Sequence, residues 1–415
     1  MMSQAFYTGL SGVQNSSIGI DVVSNNISNI STVGYKGYTT EFASMFGDAI
    51  STSASRNETI GAGVQVQTTS MVSDQGTIAL SDRNTDLAIL GNGWFGVQSS
   101  GNPVYTRDGS FVFDSNSDLV TSDGFYVLGT VAGNISKDNV LTSQIDTVAL
   151  SDVATQEKLR FPKVLQFPPK PTTSAQFYAN LGVGKEPISV GASIVDPQNN
   201  KNALGLLFTR NAVQTPPGSI YSVKATVTSA DGKTVYDTQT GTVEFDAAGG
   251  LVKSTLSTVD NNGAPVTVDL GNAFTGITSI NRPFAPGSSK ANGTIGGELE
   301  GYSVNKNGEV IATFTNGRQS SVGKIAVYHF RNEQGLDRIS GTRFKESPNS
   351  GQAIFFQDAN GKNINGTDVI NFRLEGSNIG LTYGLTELII LQRSYDANSK
   401  SITTANEMIK KALDM

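Results

Sequence analysis

The chain of 415 residues contains no cysteine. Disulfides, thiol catalysis and thiolate metal sites are excluded on that count alone. A cysteine-free chain suits export into an oxidising exterior, although cytosolic chains without cysteine are common too. Histidine is almost as scarce, with His329 the only one. A single imidazole cannot build a histidine-based zinc site, and no G-x-S-x-G elbow presents a serine to it. Charged residues make up only 16%, with a net charge of −6, which argues against non-specific nucleic-acid binding. Long apolar runs are missing as well. The longest near the C-terminus, Leu388 to Leu391, is far short of the roughly 20 residues that cross a bilayer. The opening Met1-Met2-Ser3-Gln4-Ala5-Phe6 has no basic start and no continuous apolar segment, so it does not read as a cleavable secretory signal.

What is present points to strands and turns. The chain holds 45 Gly among many Ser, Thr and Asn, and 37% hydrophobic residues, enough for cores in two or three domains. That texture suggests short strands joined by tight turns.

The two ends differ from the middle. From Ser3 to about Ile30 there is no Pro and one charge, Asp21. Phe6, Val13, Ile20 and Ile27 repeat every seven residues, with Val23 and Ile30 in a second row shifted by three. These are a and d positions of a heptad. The intervening Ser, Asn, Gln and Gly are weak helix formers, so the helix is expected to need a partner and to be largely unformed in isolation. At the other end Leu381, Leu388, Tyr395, Ile402 and Ile409 also recur every seven residues, with Gly384, Leu391, Asn398, Ala405 and Ala412 in the d row. Ser377 or Asn378 is the expected cap. Two narrow stripes at opposite ends of one chain can pair within it or between subunits. An ordinary core stripe would explain either end alone, but matching rows at both ends favour pairing.

Between the helices the pattern is β. Asp86 to Val97 is an apolar run broken by Gly91-Asn92-Gly93, a turn between two strands. Further runs alternate around Asp108-Gly109 and Asp123-Gly124, and short strands recur from Ile220 to Phe245. Proline punctuation at 162–171 and a Gly/Ser/Asn-rich stretch at 283–297 mark boundaries. The expected architecture is multidomain and mainly β, with paired long terminal α-helices and nested discontinuous β domains. Its divisions are 1–35 with 376–415, helical and coiled-coil-like; 36–155 with 293–375, a discontinuous β domain; and 156–292, an inserted outer β domain.

Particular segments then resemble a known family. Asp21-Val22-Val23-Ser24-Asn25-Asn26-Ile27-Ser28-Asn29-Ile30, followed by Thr32-Val33-Gly34-Tyr35-Lys36, resembles the N-terminal signature of bacterial flagellar rod, hook and hook-associated proteins. Ser28 stands where the family usually has Ala. Leu374-Glu375-Gly376-Ser377-Asn378-Ile379 and Leu391-Gln392-Arg393-Ser394-Tyr395-Asp396-Ala397-Asn398 resemble the family's closing helix, with Asp396 in place of a common Gln. Gly380 replaces a common acidic residue. The motif residues are Asn25, Asn26, Asn29, Gly34, Tyr35, Lys36, Gln392, Arg393 and Asn398. Asp86-Leu87-Ala88-Ile89, Gly93-Trp94-Phe95 and Tyr105 to Phe111 are similar to the axial-protein β domain, which rod proteins share. Tyr302 to Gly308, Phe314 to Arg318, Phe330 to Leu336 and Ser347 to Gly351 are similar to hook subunits. The resemblance covers roughly 3–130 and 300–415.

The resemblance implies a structural subunit that polymerises into a curved, flexible tube carrying torque from rod to filament. Terminal helices line an export channel, and the insert faces outward. Implied partners are copies of itself, the rod, hook-cap and hook–filament junction proteins, and the flagellar type III export apparatus. The implied location is the extracellular hook. A distal rod or hook-associated protein is the nearest alternative, and a secreted adhesin with trimerising helices is a more distant one. No catalytic residue, metal ligand, cofactor or membrane insertion is expected.

Motifs with chemical overtones read otherwise in context. Gly91-x-Gly93-x-x-Gly96 matches a dinucleotide fingerprint in letters, but Trp94-Phe95 and the continuing strand occupy the place of the helix. Asp114-x-Asn116-x-Asp118 begins like a calcium loop, yet Leu119 and Phe125 stand where Gly and Glu are needed. Trp94 reads as a core or interface anchor. Lys410-Lys411 suits the C-terminal end of a helix dipole. Carboxylate pairs of the glycosidase kind are assembled by the fold, and nothing in the chain points to one.

Overall fold

The computed structural model describes residues 2–46 and 61–414. Helix α1 spans Met2–Ser28 and helix α2 spans Leu381–Leu413. The two lie antiparallel, with Gly9 opposite Ile402, Gly19 opposite Leu391 and Gly384 opposite Ile27. The weak intrinsic preference of α1 is thus offset inside the chain by α2, which supplies a partner of the kind its sequence needs. The cap of α2 also differs from expectation. Gly380 occupies the N-cap position without a side-chain bond. Asn378 instead spans to the body: its Oδ1 accepts from Gly37 N at 2.9 Å, and its Nδ2 donates to Val72 O at 2.9 Å. Lys410 and Lys411 lie in the last turn.

Strands β1 (Tyr38–Phe46) and β2 (Gly61–Met71) form an antiparallel hairpin after α1, running from Tyr38 opposite Met71 to Phe46 opposite Gly61. Beyond it lies a sheet woven from two distant stretches of chain. Tyr126–Val131 pairs with Gln319–Ile325, Trp94–Gln98 with Val327–Tyr328, and Val104–Thr106 with Arg343–Lys345. Its core gathers Leu87, Phe95, Phe111, Val310, Phe314 and Ile325, all without exposed surface. Gly91 and Gly93 take left-handed conformations, as a turn requires. The flanking strands do not form a hairpin, however: Leu87–Leu90 pairs with Asp368–Asn371, whereas Trp94–Gln98 belongs to the large sheet. Asp114 Oδ1 accepts from the backbone of Asn116 and Asp118, so the calcium-like letters make a turn.

A β-sandwich holds strands between Ser174 and Ala291. One sheet is the meander Ile188–Val195, Lys201–Arg210, Ser219–Ser229, Val235–Phe245 and Leu251–Ser254. The second packs on it through Phe177, Val266 and Ile277 against Leu204, Phe208 and Val223. Alternate residues of Ser219–Ser229 are buried, the period-two pattern of a strand with one face in a core. The sandwich joins the body at Gln166–Phe167, which pairs with Gly297–Val304.

His329 is buried, bridged to Ile354, and its Nε2 donates to Asn365 O at 2.5 Å. Burial is the main force holding the imidazole below its ordinary value, opposed by that hydrogen bond and aided by nearby Arg107. The folded chain therefore keeps His329 neutral where the unfolded chain takes up a proton. Its stabilisation is full above about pH 6.5 and is lost as pH falls below that value. Urea titrations from pH 7.5 to 5 should show a stability slope that His329→Gln flattens. Equal slopes in the two proteins would contradict this.

Candidate functional site: paired helices and their anchor

The seam between the helices is built on smallness. Gly9, Gly12, Ser16, Gly19, Val23 and Asn26 are buried positions of α1 spaced alternately by three and four, and Asn15 is buried beside them. A Cβ on Gly12 would stand 2.5 Å from the Asn398 side chain, and one on Gly9 would stand 2.9 Å from Ile402. Large residues of α2 thus enter hollows left by glycine in α1, and Ile27 enters one left by Gly384. Ser16 Oγ donates across the seam to Ser394 Oγ at 3.2 Å.

Of the anticipated N-terminal stripe residues, Val23 is buried and Phe6, Val13, Ile20 and Ile27 are half-buried on α1, while Ile30, also half-buried, lies beyond the helix end at Ser28. On α2, Leu388, Leu391, Ile402 and Ile409 are half-buried and Ala405 is buried. Leu381 and Tyr395 are exposed. Exposure continues in two further rows of α2. Leu385 and Ile389 extend the line from Leu381, and Tyr383 and Ile390 lie seven residues apart on the other flank, with Ile390 62% exposed. One partner helix does not cover all of this apolar surface.

The motif residues divide by role. Asn26, Gly34, Tyr35 and Lys36 are buried, Asn29 and Asn398 are half-buried, and Asn25, Gln392 and Arg393 are exposed. Asn29 Nδ2 donates to Asn25 O and Oδ1, both at 2.9 Å, closing the last turn of α1. Asn398 lies in the seam against Gly12.

Lys36 is the first member of a buried ionic knot. Its Nζ donates to Glu375 Oε1 at 2.8 Å and to Asp74 O at 2.8 Å. Arg107 Nη1 donates to Glu375 Oε2 at 3.1 Å, and its Nη2 donates to Gly91 O at 2.7 Å. Gly76 N also donates to Glu375 Oε1. Arg107 stands 5.5 Å from the centroid of buried Trp94. Gly34 makes the approach possible: its φ is +68°, and a Cβ there would lie 2.3 Å from Asp108 N. Burial lowers the Lys36 ammonium below its ordinary value, opposed chiefly by Glu375. Nearby Glu333 is pushed up by burial, with Arg107 and Lys36 pulling the other way. The knot joins the segment after α1, the segment before α2 and the β body. Arg107 and Glu375 sit within family-like segments, but their convergence on Lys36 carries no local sequence signal. The seam glycines do carry one: small residues recur at 9, 12, 16 and 19.

Comparison with known proteins now bears on this geometry. Residues 6–36 match the family described as "Flagella basal body rod protein", 88–152 match "Flagellar hook protein FlgE/F/G D1 domain", and 371–415 match "Flagellar basal body rod FlgEFG protein C-terminal". These matches define the class, the axial proteins of the bacterial flagellum. "Flagellar hook protein FlgE" of Brucella suis is 31% identical over 97% of this chain and 96% of its own length. Its Escherichia coli counterpart is 28% identical over 99% of this chain and 100% of its own. A flagellar hook protein of Helicobacter pylori shares the fold, with a TM-score of 0.52 at 16% identity over 72% of this chain and all of that one. The chain belongs to the flagellar hook protein family, whose members are structural, extracellular components of the flagellum. No described helix is long and apolar enough to cross a membrane.

Proposed function

We propose that this hook subunit polymerises through its paired terminal helices into a curved, flexible tube that passes torque from rod to filament. The supporting observation is the apolar surface left over after α1 and α2 have paired, with Tyr383 at 68%, Ile390 at 62% and Ile389 at 56% exposure. Surface of that kind on a folded chain marks an association site. The stripe residues Phe6, Val13, Ile20, Val23, Ile27, Ile30, Leu381, Leu388, Leu391, Tyr395, Ile402 and Ile409 would serve first the pair and then its neighbours. The units would divide at 1–35 with 376–415, 36–155 with 293–375, and 156–292, the last facing outward. Partners would be the rod, hook-cap and hook–filament junction proteins, and the type III export apparatus would deliver the chain. The role requires no catalysis, and among the described residues no group of acidic or histidine side chains is arranged to hold a metal. Electron microscopy of concentrated protein should show tubes with a regular helical lattice. Discrete trimers without tubes would count for an adhesin-like assembly instead.

A further inference from the structure

We propose that Asn15 and Asn26 are positioning residues that pin the β1–β2 hairpin to α1 in a single register, and so set the angle between helix pair and body in the tube. The polymer part rests on the reading above; the pin itself does not.

Both side chains are buried amides that complete strand backbone. Asn15 Nδ2 donates to Val64 O at 2.6 Å, and Val66 N donates to Asn15 Oδ1 at 2.6 Å. Asn26 Nδ2 donates to Tyr38 O at 2.7 Å, and Tyr38 N donates to Asn26 Oδ1 at 3.1 Å. Each amide therefore satisfies one donor and one acceptor, as a neighbouring strand would. Ser11 adds a weaker contact, accepting from Val64 N at 3.3 Å.

The spacings agree. Eleven residues of helix rise about 16 Å. Tyr38 lies opposite Met71, and the five residues from Val66 to Met71 extend about 17 Å. The base of the hairpin is held by buried Met71 and by Asn378 at Gly37 and Val72, but the strands beyond that base have little else to fix their place. Residues 63–70 of β2 read Gly-Val-Gln-Val-Gln-Thr-Thr-Ser, and none of them is buried. A strand without a buried apolar face specifies register weakly. Because edge groups repeat every two residues, Asn15 alone would accept a two-residue slide. Tyr38 stands at the start of β1, so a slide away from the body leaves Asn26 unpaired in the interior, and the two pins together exclude it. A slide the other way, which would bring Thr40 to Asn26, would displace Lys36 and Met71 from their buried places.

The absence of cysteine makes the test direct. Spin labels at Ser17→Cys and Thr69→Cys, both exposed positions, report the distance between α1 and β2 in the free chain. A single narrow distance is expected in the otherwise native protein. Asn15→Ala with Asn26→Ala should add a second population displaced by about 7 Å, the length of a two-residue slip. Restoring Asn26 alone should remove most of it. A single unchanged distance in the double variant would overturn the pin. In tubes, image reconstruction should find more than one helical twist for the double variant and one for the parent. An identical twist would remove the assembly role while leaving the pin standing. Failure of the parent to form tubes would overturn that assembly role together with the polymer reading, and the label distances would still decide the pin.

Discussion

Glu375→Gln should cost about 3–5 kcal/mol of stability, the range found when one member of a buried ion pair is removed. The substitution preserves shape and leaves two cations, Lys36 and Arg107, in a site where all three side chains are at most 3% exposed. Their ordinary hydration is unavailable, and only the carbonyls of Asp74 and Gly91 and one neutral amide oxygen of the new side chain remain to receive them. The loss is therefore one of desolvation left uncompensated, larger than the net value of the intact pairs. Replacing all three with Met, Met and Leu should recover much of the stability, because apolar groups of similar volume need no counter-charge. Trp94, the sole tryptophan, lies against Arg107 and gives the fluorescence signal for denaturant titration of this junction. A Glu375→Gln protein within about 1 kcal/mol of the parent would mean that water or Glu333 already balances the knot.

The knot also marks where reading the sequence stops. Lys36 and Glu375 are 339 residues apart, and Arg107 and Glu375 are 268 apart. No periodicity connects residues at such separations; they are brought together by the pairing of Arg373–Glu375 with Ile78–Leu80 and by the interleaved strands of 94–131 and 319–345. The helices were far more legible, because a face against a partner imposes a period. The C-terminal rows place Leu388, Leu391, Ile402 and Ile409 along the seam. Leu381 falls outside it. A seven-residue row drifts about 20° per heptad on a helix of 3.6 residues per turn, so a line that faces α1 at Ile402 has rotated away by Leu381. On α1 the bulky row Phe6, Val13, Ile20 and Ile27 flanks the seam, and glycine and serine form its centre. Hydrophobic periodicity detects bulk, whereas close helix approach depends on its absence. Asn15 escaped notice for a related reason: its partners are backbone groups of β2, which no side-chain pattern reveals.

Ile402→Asp should abolish tubes, and Ile390→Asp should raise the concentration they need, by different routes. Ile402 faces Gly9 across the seam, so a carboxylate there is driven into a contact with backbone and loses its water. The helices of the free chain should part, seen as a fall in helical circular dichroism. Ile390 is 62% exposed, so its replacement should leave the pair intact in the free chain and block only what docks on the outer row. Burying an isoleucine is worth about 1.5–3 kcal/mol, which raises the concentration needed for assembly roughly 10- to 100-fold. The sandwich of residues 174–291 has its own core and should keep its melting transition in both variants. Sedimentation of polymer across a concentration series reads the assembly threshold. If Ile390→Asp assembled at the parental threshold, the outer row of α2 would have no neighbour, and tubes would have to be held by other surfaces. If instead Ile390→Asp lowered helicity as much as Ile402→Asp, the two rows would belong to one seam, and pairing and polymerisation would be a single event.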